Sequence, residues 1–164
     1  MGHETSQIPR LLVIGIGNAY RGDDAAGLAA ARRIRDRTPK YCSVLEHTGD
    51  GASLIELWTG AERAIVIDAM RSGDEPGTVT RFDATLRPLP AAIFRNSTHM
   101  FSLPEAIELS RALQQLPGQL IVYGVEAQDF EAGANLSPAI DFALGTVVQR
   151  VLQELSEKHL CSQM

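Results

Sequence analysis

Between residues 11 and 34 the hydrophobic period switches from that of a strand to that of a helix, and everything downstream must accommodate the switch. Leu11-Leu12-Val13-Ile14 is a continuous aliphatic run, the profile of a short strand buried on both faces. Gly15 and Gly17 are expected to break it into a tight turn. Past Asp23, the residues Gly27, Ala30, Ala31 and Ile34 recur at i, i+3, i+4 and i+7, one small-residue stripe of a helix. Arg32, Arg33, Arg35 and Arg37 fall toward its C-terminal end, where cations complement the macrodipole. The loop between strand and helix, Asn18-Ala19-Tyr20-Arg21-Gly22, therefore delivers two acids, Asp23 and Asp24, to a helix N-terminus. Backbone N–H groups there favour the ionised carboxylate, which suits at least one acid to hold a cation.

Other uses of this stretch fit less well. A dinucleotide site needs a third glycine where Tyr20 stands, and two carboxylates would repel a bound phosphate. Helix capping accounts for one acid, Asp23 being the better candidate, but one cap needs one side chain. A length of 164 residues fits a single domain over 1–164, with a core over about 10–157 and mobile ends at 1–9 and 158–164. The formal charge of −5 gives no basic field to steer nucleic acid or an anionic membrane. Cys42 and Cys161 have no zinc or CxxC spacing and read as unpaired thiols of a reducing cytoplasm. No apolar segment approaches the ~18 residues of a membrane span. The chain is expected to be a cytoplasmic monomer. A myristoylation match at Gly2 and a sequon at Asn96-Ser97-Thr98 lack supporting context.

Cys42–His47 reads as the second strand, followed by the turn-rich Thr48-Gly49-Asp50-Gly51 and a helix over about 52–58 that buries Leu54, Leu57 and Trp58. Ala64–Met70 is a central parallel strand that ends on an acid, Asp68, at the sheet edge where α/β proteins bind ligands. Thr78–Phe82 alternates like an edge strand. The segment from Asp83 to Thr98 shows no period and leads into His99. Ser102 and Glu105 form a capping box for a helix with Ala106, Ile107, Ser110 and Leu113 inward, ended by Pro117-Gly118. Leu120–Val125 is the last buried strand. After a polar loop, Ser137-Pro138 opens a helix whose core face is Ile140, Leu144, Val147, Val151 and Leu155. Alternating strands and helices give a three-layer α/β/α domain.

If the first strand neighbours both the second and the third, the sheet has its switch point between strands 1 and 3. Asp24 and Asp68 then face one another across that crevice, and His99 is placed to close over it. Two carboxylates and an imidazole suit a divalent transition metal and leave coordination positions open. His99 also has the plainer reading of a loop-anchoring histidine. His47 is a neighbour of the site and a lesser candidate ligand, while His3 and His159 lie in the terminal segments. Ser97, Thr98 and Ser102 have no partners at triad spacing.

The ordered set Gly15-x-Gly17-Asn18, Gly22-Asp23-Asp24, Ile67-Asp68-Ala69 and Ser97-Thr98-His99 resembles the hydrogenase maturation endopeptidases. Gly51, Tyr123-Gly124-Val125-Glu126 and Leu136-Ser137-Pro138 extend the resemblance to about Leu11 through Leu155. The resemblance implies a phosphorylase/hydrolase-like, five-stranded mixed sheet between helices, order 2-1-3-5-4 with strand 4 antiparallel. It implies a peptidase that clips the C-terminal extension from a nickel–iron hydrogenase large-subunit precursor after nickel insertion. Asp24, Asp68 and His99 would be its catalytic and nickel-contacting residues, the nickel arriving with the substrate so that the free enzyme carries none. Ala19-Tyr20-Arg21 and Glu46-His47-Thr48 depart from that family's usual pattern and bear on which precursor is cut. Two alternatives stand beside it. One is a non-catalytic factor that binds nickel or the precursor through the same residues. The other is a receiver-like signalling domain, which would need a lysine where the last strand exits through Glu126.

Overall fold

A computed structural model describes residues 11–94 and 101–162, with side chains as far as residue 157. The elements run β1 (Leu11–Ile16), a 3-10 turn (Gly22–Ala25), α1 (Ala26–Arg35), β2 (Cys42–His47), α2 (Gly51–Trp58), β3 (Arg63–Met70), β4 (Val79–Asp83), α3 (Leu103–Ala112), β5 (Gln119–Glu126) and α4 (Pro138–Ser162). The sheet order is β2-β1-β3-β5-β4. All pairs are parallel except β4 with β5. That is the topology implied by the resemblance, with β1 flanked by β2 and β3.

Strand alternation divides the aliphatic side chains between two cores. Val13, Ile65, Ile67, Ile121 and Val125 pack against α1 and α4 through Ala30, Ile34, Leu144 and Val147. Leu12, Ile14, Val66, Leu120 and Val122 pack on the other face against α2 and α3 through Leu54, Trp58, Ala106 and Ile107. Trp58 is fully buried and its indole N–H donates to Ser110 Oγ at 3.0 Å, so the largest side chain brings its own polar partner inside.

Several boundaries differ from the pattern-based expectation, for identifiable reasons. Gly15 does not end β1. It stays in register with Glu46 and Ile67, and the strand runs on to Ile16. Its missing side chain serves helix packing instead, because a Cβ there would lie 2.1 Å from Gly27 O and 2.7 Å from Ala31 Cβ. Gly27 answers from the helix side, where a Cβ would fall 2.2 Å from Ile16 O and 2.3 Å from Ile67 O. The two glycines let α1 lie directly on the β1–β3 seam. At the end of α3 the helix stops at Ala112, before Pro117, where Gln114 takes a φ of 56°. Leu113 consequently turns outward rather than into the core. The capping box at Ser102 and Glu105 is formed in both directions.

The stretch after β4 carries no period, yet it is anchored. Ala84, Leu89 and Phe94 are buried in the α2/α3 core, and Phe94 meets Phe82 edge-on at 5.9 Å. An aperiodic segment can still place isolated apolar residues into a core, which pattern analysis does not detect. Among the described residues no helix is long and apolar enough to cross a membrane.

Candidate functional site

At the C-terminal edge of the sheet, over the α2/α3 face, a cavity of 530 Å³ opens beside the β1–β3 switch point. Asp24 and Asp68 both line it, with Ile16, Gly17, Leu28, Phe94 and Leu103 as apolar or small walls. The sequence brings Asp68 here by register. Pairing between β1 and β3 ends at Gly15 with Ile67, so Asp68 is the first β3 residue without a β1 neighbour. On its other side its partner is Gly124, which presents no side chain. The carboxylate thus sits in a notch that the sheet leaves open. β3 ends at Met70, as the run Ala64–Met70 predicts, so Asp68 lies two residues inside the strand rather than closing it.

Burial pushes the Asp68 carboxyl well above the ordinary carboxylate range. The nearby charge of Asp24 raises it further, and the Ala69 backbone N–H opposes both more weakly. Buried beside the charge of Asp24, the Asp68 carboxyl keeps its proton more readily than a solvated acid would. A cation entering the notch reverses that balance and favours both ionised forms.

Asp24 reaches the notch because the preceding loop is tied down. Asn18 N donates to Asp24 O at 3.2 Å and Asp24 N to Arg21 O at 3.0 Å. Asn18 Oδ1 accepts from Tyr20 N at 2.9 Å. Gly17 is required here, since a Cβ would fall 2.0 Å from Asp24 O.

Asp23 does something the sequence does not reveal. Neither the 3-10 turn nor α1 has a side-chain cap, so Asp23 caps neither. Its carboxylate is fully buried and accepts from Gln128 N at 2.8 Å, Asp129 N at 2.9 Å, Ser137 N at 2.7 Å and Ser137 Oγ at 2.8 Å. Burial alone would raise its pKa, but these hydrogen bonds outweigh it and hold the carboxyl below its ordinary value. Asp23 therefore clamps the β5–α4 loop to the site loop. Its partners lie 105 to 114 residues away, beyond the reach of any local pattern.

His47 lines the cavity, but its ring is engaged. Nδ1 accepts from Gly49 N at 2.9 Å, which leaves the proton on Nε2, 3.0 Å from Ser53 Oγ. Ser53 in turn donates to Asp50 O, and Asp50 caps α2 by accepting from Ser53 N at 3.1 Å. The imidazole shapes the Thr48-Gly49 wall. Glu46, also at the cavity, is paired with Arg32 and Arg35 on α1, and the Arg32 hydrogen bond leads in holding its pKa down. The α1 arginines are thus an ion-paired outer face. Cys42 is buried, its thiol pushed up to about 11 by burial, and unreactive.

Among the described residues no group of three His, Cys, Asp or Glu side chains is arranged to hold a metal ion. The two carboxylates form a pair. His99, with Ser97 and Thr98, lies outside the described residues, as do His3 and the side chain of His159.

Known proteins share this architecture and this chain's sequence over most of its length. HupD of Bradyrhizobium diazoefficiens, a hydrogenase expression/formation protein, is 28% identical over 156 residues, covering 93% of this chain and 81% of HupD. The hydrogenase 2 maturation protease of Escherichia coli is 27% identical over 153 residues, covering 90% and 92%. The solved hydrogenase maturating endopeptidase HybD of E. coli superposes with a TM-score of 0.77 at 27% identity, covering 91% of this chain and 93% of that one. These similarities and the antiparallel β4 set aside a receiver domain. A family description, hydrogenase maturation protease, matches residues 29–154, which include Asp68 and the whole sheet beyond β1, and the chain belongs to that family of proteases.

Proposed function

We propose that this protease removes the C-terminal extension of a nickel–iron hydrogenase large-subunit precursor once nickel has been inserted, and that it recognises the metal through Asp24, Asp68 and His99. The observation that carries the reading is the meeting of Asp24 and Asp68 in one cavity at the switch point, from chain positions 44 residues apart (68 − 24). Carboxylate oxygens and an imidazole suit a divalent transition metal and leave positions for donors supplied by the precursor. The nickel belongs to the substrate, and the enzyme works as a cytoplasmic, single-domain monomer without a metal of its own. With the metal docked, the two carboxylates and the histidine set the scissile peptide against the cavity, where water adds across the C–N bond.

The test is a processing assay on precursor with and without nickel, using the wild type and Asp24→Asn, Asp68→Asn and His99→Ala variants. Cleavage confined to the nickel-loaded form, and lost in each variant, supports the reading. Equal cleavage of both forms removes metal recognition, and full activity of His99→Ala removes the histidine.

A further inference from the structure

The loop that carries Asp24 also presents a cation with no assigned role. Arg21 lines the cavity half-buried, and among the described residues its guanidinium has neither a hydrogen-bond acceptor nor an ion-pair partner. Arg37, Arg87 and Arg150 likewise have no side-chain acceptor among the described residues, but unlike Arg21 they do not line the cavity. Arg32, Arg33, Arg35, Arg63, Arg81 and Arg111 all pair with carboxylates, and Arg71 lies over the Phe130 ring at 4.4 Å. At the cavity itself, Glu46 is already taken by Arg32 and Arg35, so it does not serve Arg21.

The base from which Arg21 projects is fixed. Arg21 N donates to Asn18 O at 3.3 Å, Arg21 O accepts from Asp24 N at 3.0 Å, and Tyr20 O accepts from Gly133 N at 2.8 Å. Gly22 follows at a φ of 55°, packed so closely that a Cβ would sit 2.6 Å from Asp129 O. Beside it Tyr20 is 82% exposed on the same pinned turn. A guanidinium and an aromatic ring are thus held at the mouth of the cavity with their backbone already ordered, so that little entropy is lost when a partner docks there.

We propose that Arg21 is a specificity-determining residue of this protease, seating a carboxylate of the precursor polypeptide and so fixing which stretch of that chain crosses Asp24 and Asp68. The inference rests on the precursor-processing reading above. The charge pattern selects the occupant: the acids Asp24 and Asp68 offer a carboxylate no cation at their end of the cavity, and Arg21 is the one unpaired cation among the described residues that line it. An acidic group in the substrate therefore has one place to settle, at the mouth. A planar guanidinium suits it, donating two parallel hydrogen bonds. Tyr20 flanks the peptide on the outer side.

The experiment measures kcat and KM of the wild type, Arg21→Gln and Arg21→Lys on nickel-loaded precursor, with thermal unfolding to confirm that each variant is folded. Arg21→Gln is expected to raise KM about tenfold, as for loss of one charged hydrogen-bonded contact, with kcat within about twofold. Arg21→Lys should recover part of the loss, keeping the charge without the fork. Precursors in which each acidic side chain near the cleavage point is changed to its amide, and one whose C-terminal carboxylate is amidated, identify the partner. One of them should raise KM for the wild type and leave the Arg21→Gln enzyme unaffected. Unchanged KM in Arg21→Gln, a loss confined to kcat, or no precursor change that couples to Arg21 would overturn the inference while leaving the peptidase reading in place. A wild type that cleaves no precursor would remove both.

Discussion

Asp23→Ala tests whether the site loop is held by a long-range clamp. The substitution strips the acceptor from three backbone N–H groups and one hydroxyl, all within 2.9 Å in the native structure. Each hydrogen bond to a charged group contributes about 1.5–3 kcal/mol, but Gln128 is exposed and water can replace part of what is lost there. A net cost of about 3–4 kcal/mol follows, or a fall in Tm of about 10 °C for a chain of this size. Asp23→Asn should cost less, about 1–2 kcal/mol. Its remaining oxygen can keep the three bonds made to Oδ2, while its NH₂ faces the Ser137 N–H that Oδ1 had accepted. The pH dependence gives an independent check. Because the folded-state pKa lies below the ordinary 3.8, the contribution is fully present above the unfolded value and is lost as pH falls through the depressed folded value. Urea unfolding across that acidic range should show the gap between wild type and Asp23→Asn constant near neutrality and closing in acid. An Asp23→Ala protein with wild-type Tm at neutral pH, or a gap that widens on acidification, would refute the clamp.

Asp68 should behave in the opposite sense. Its folded-state pKa is raised, so the wild type loses stability as pH rises from about 3.8 toward the folded value, and Asp68→Asn escapes that loss. The variant should be about 1 kcal/mol more stable at neutral pH while processing no precursor, measured by urea unfolding and the cleavage assay. Gly27→Ala forces a methyl group against two strand carbonyls, and should cost at least about 3 kcal/mol and lift α1 from the sheet, read as loss of soluble, cooperatively unfolding protein. Glu154→Gln breaks a network in which Glu154 accepts from Tyr123 Oη and Arg81 Nε, both at 2.5 Å, and pairs with the buried Arg63. With Arg63 only 5% exposed and Glu154 14%, its cost should be about 3 kcal/mol by urea unfolding. In the same variant the Tyr123 phenol, pushed up by burial and then by Glu154, should titrate at lower pH by ultraviolet absorbance.

The amino-acid sequence by itself determined the layers and the family. Three apolar runs of strand length and two weaker strand patterns, separated by helix-period stripes and capping signals, admit little besides an α/β/α sandwich, because each buried strand needs a helix on either face. The same local chemistry put an acid after β1 and another near the end of β3. The tertiary structure alone decided what the neighbours of those acids do. Asp23 looked like a cap and is a clamp on a loop more than a hundred positions away. Gly15 looked like a strand terminator and is the place where a helix backbone touches the sheet. His47 looked like a spare ligand and spends both ring nitrogens on its own turn. The physical reason is common to all three. Periodicity and capping are set within a few residues, whereas hydrogen-bond satisfaction and close packing depend on what the fold brings from elsewhere in the chain.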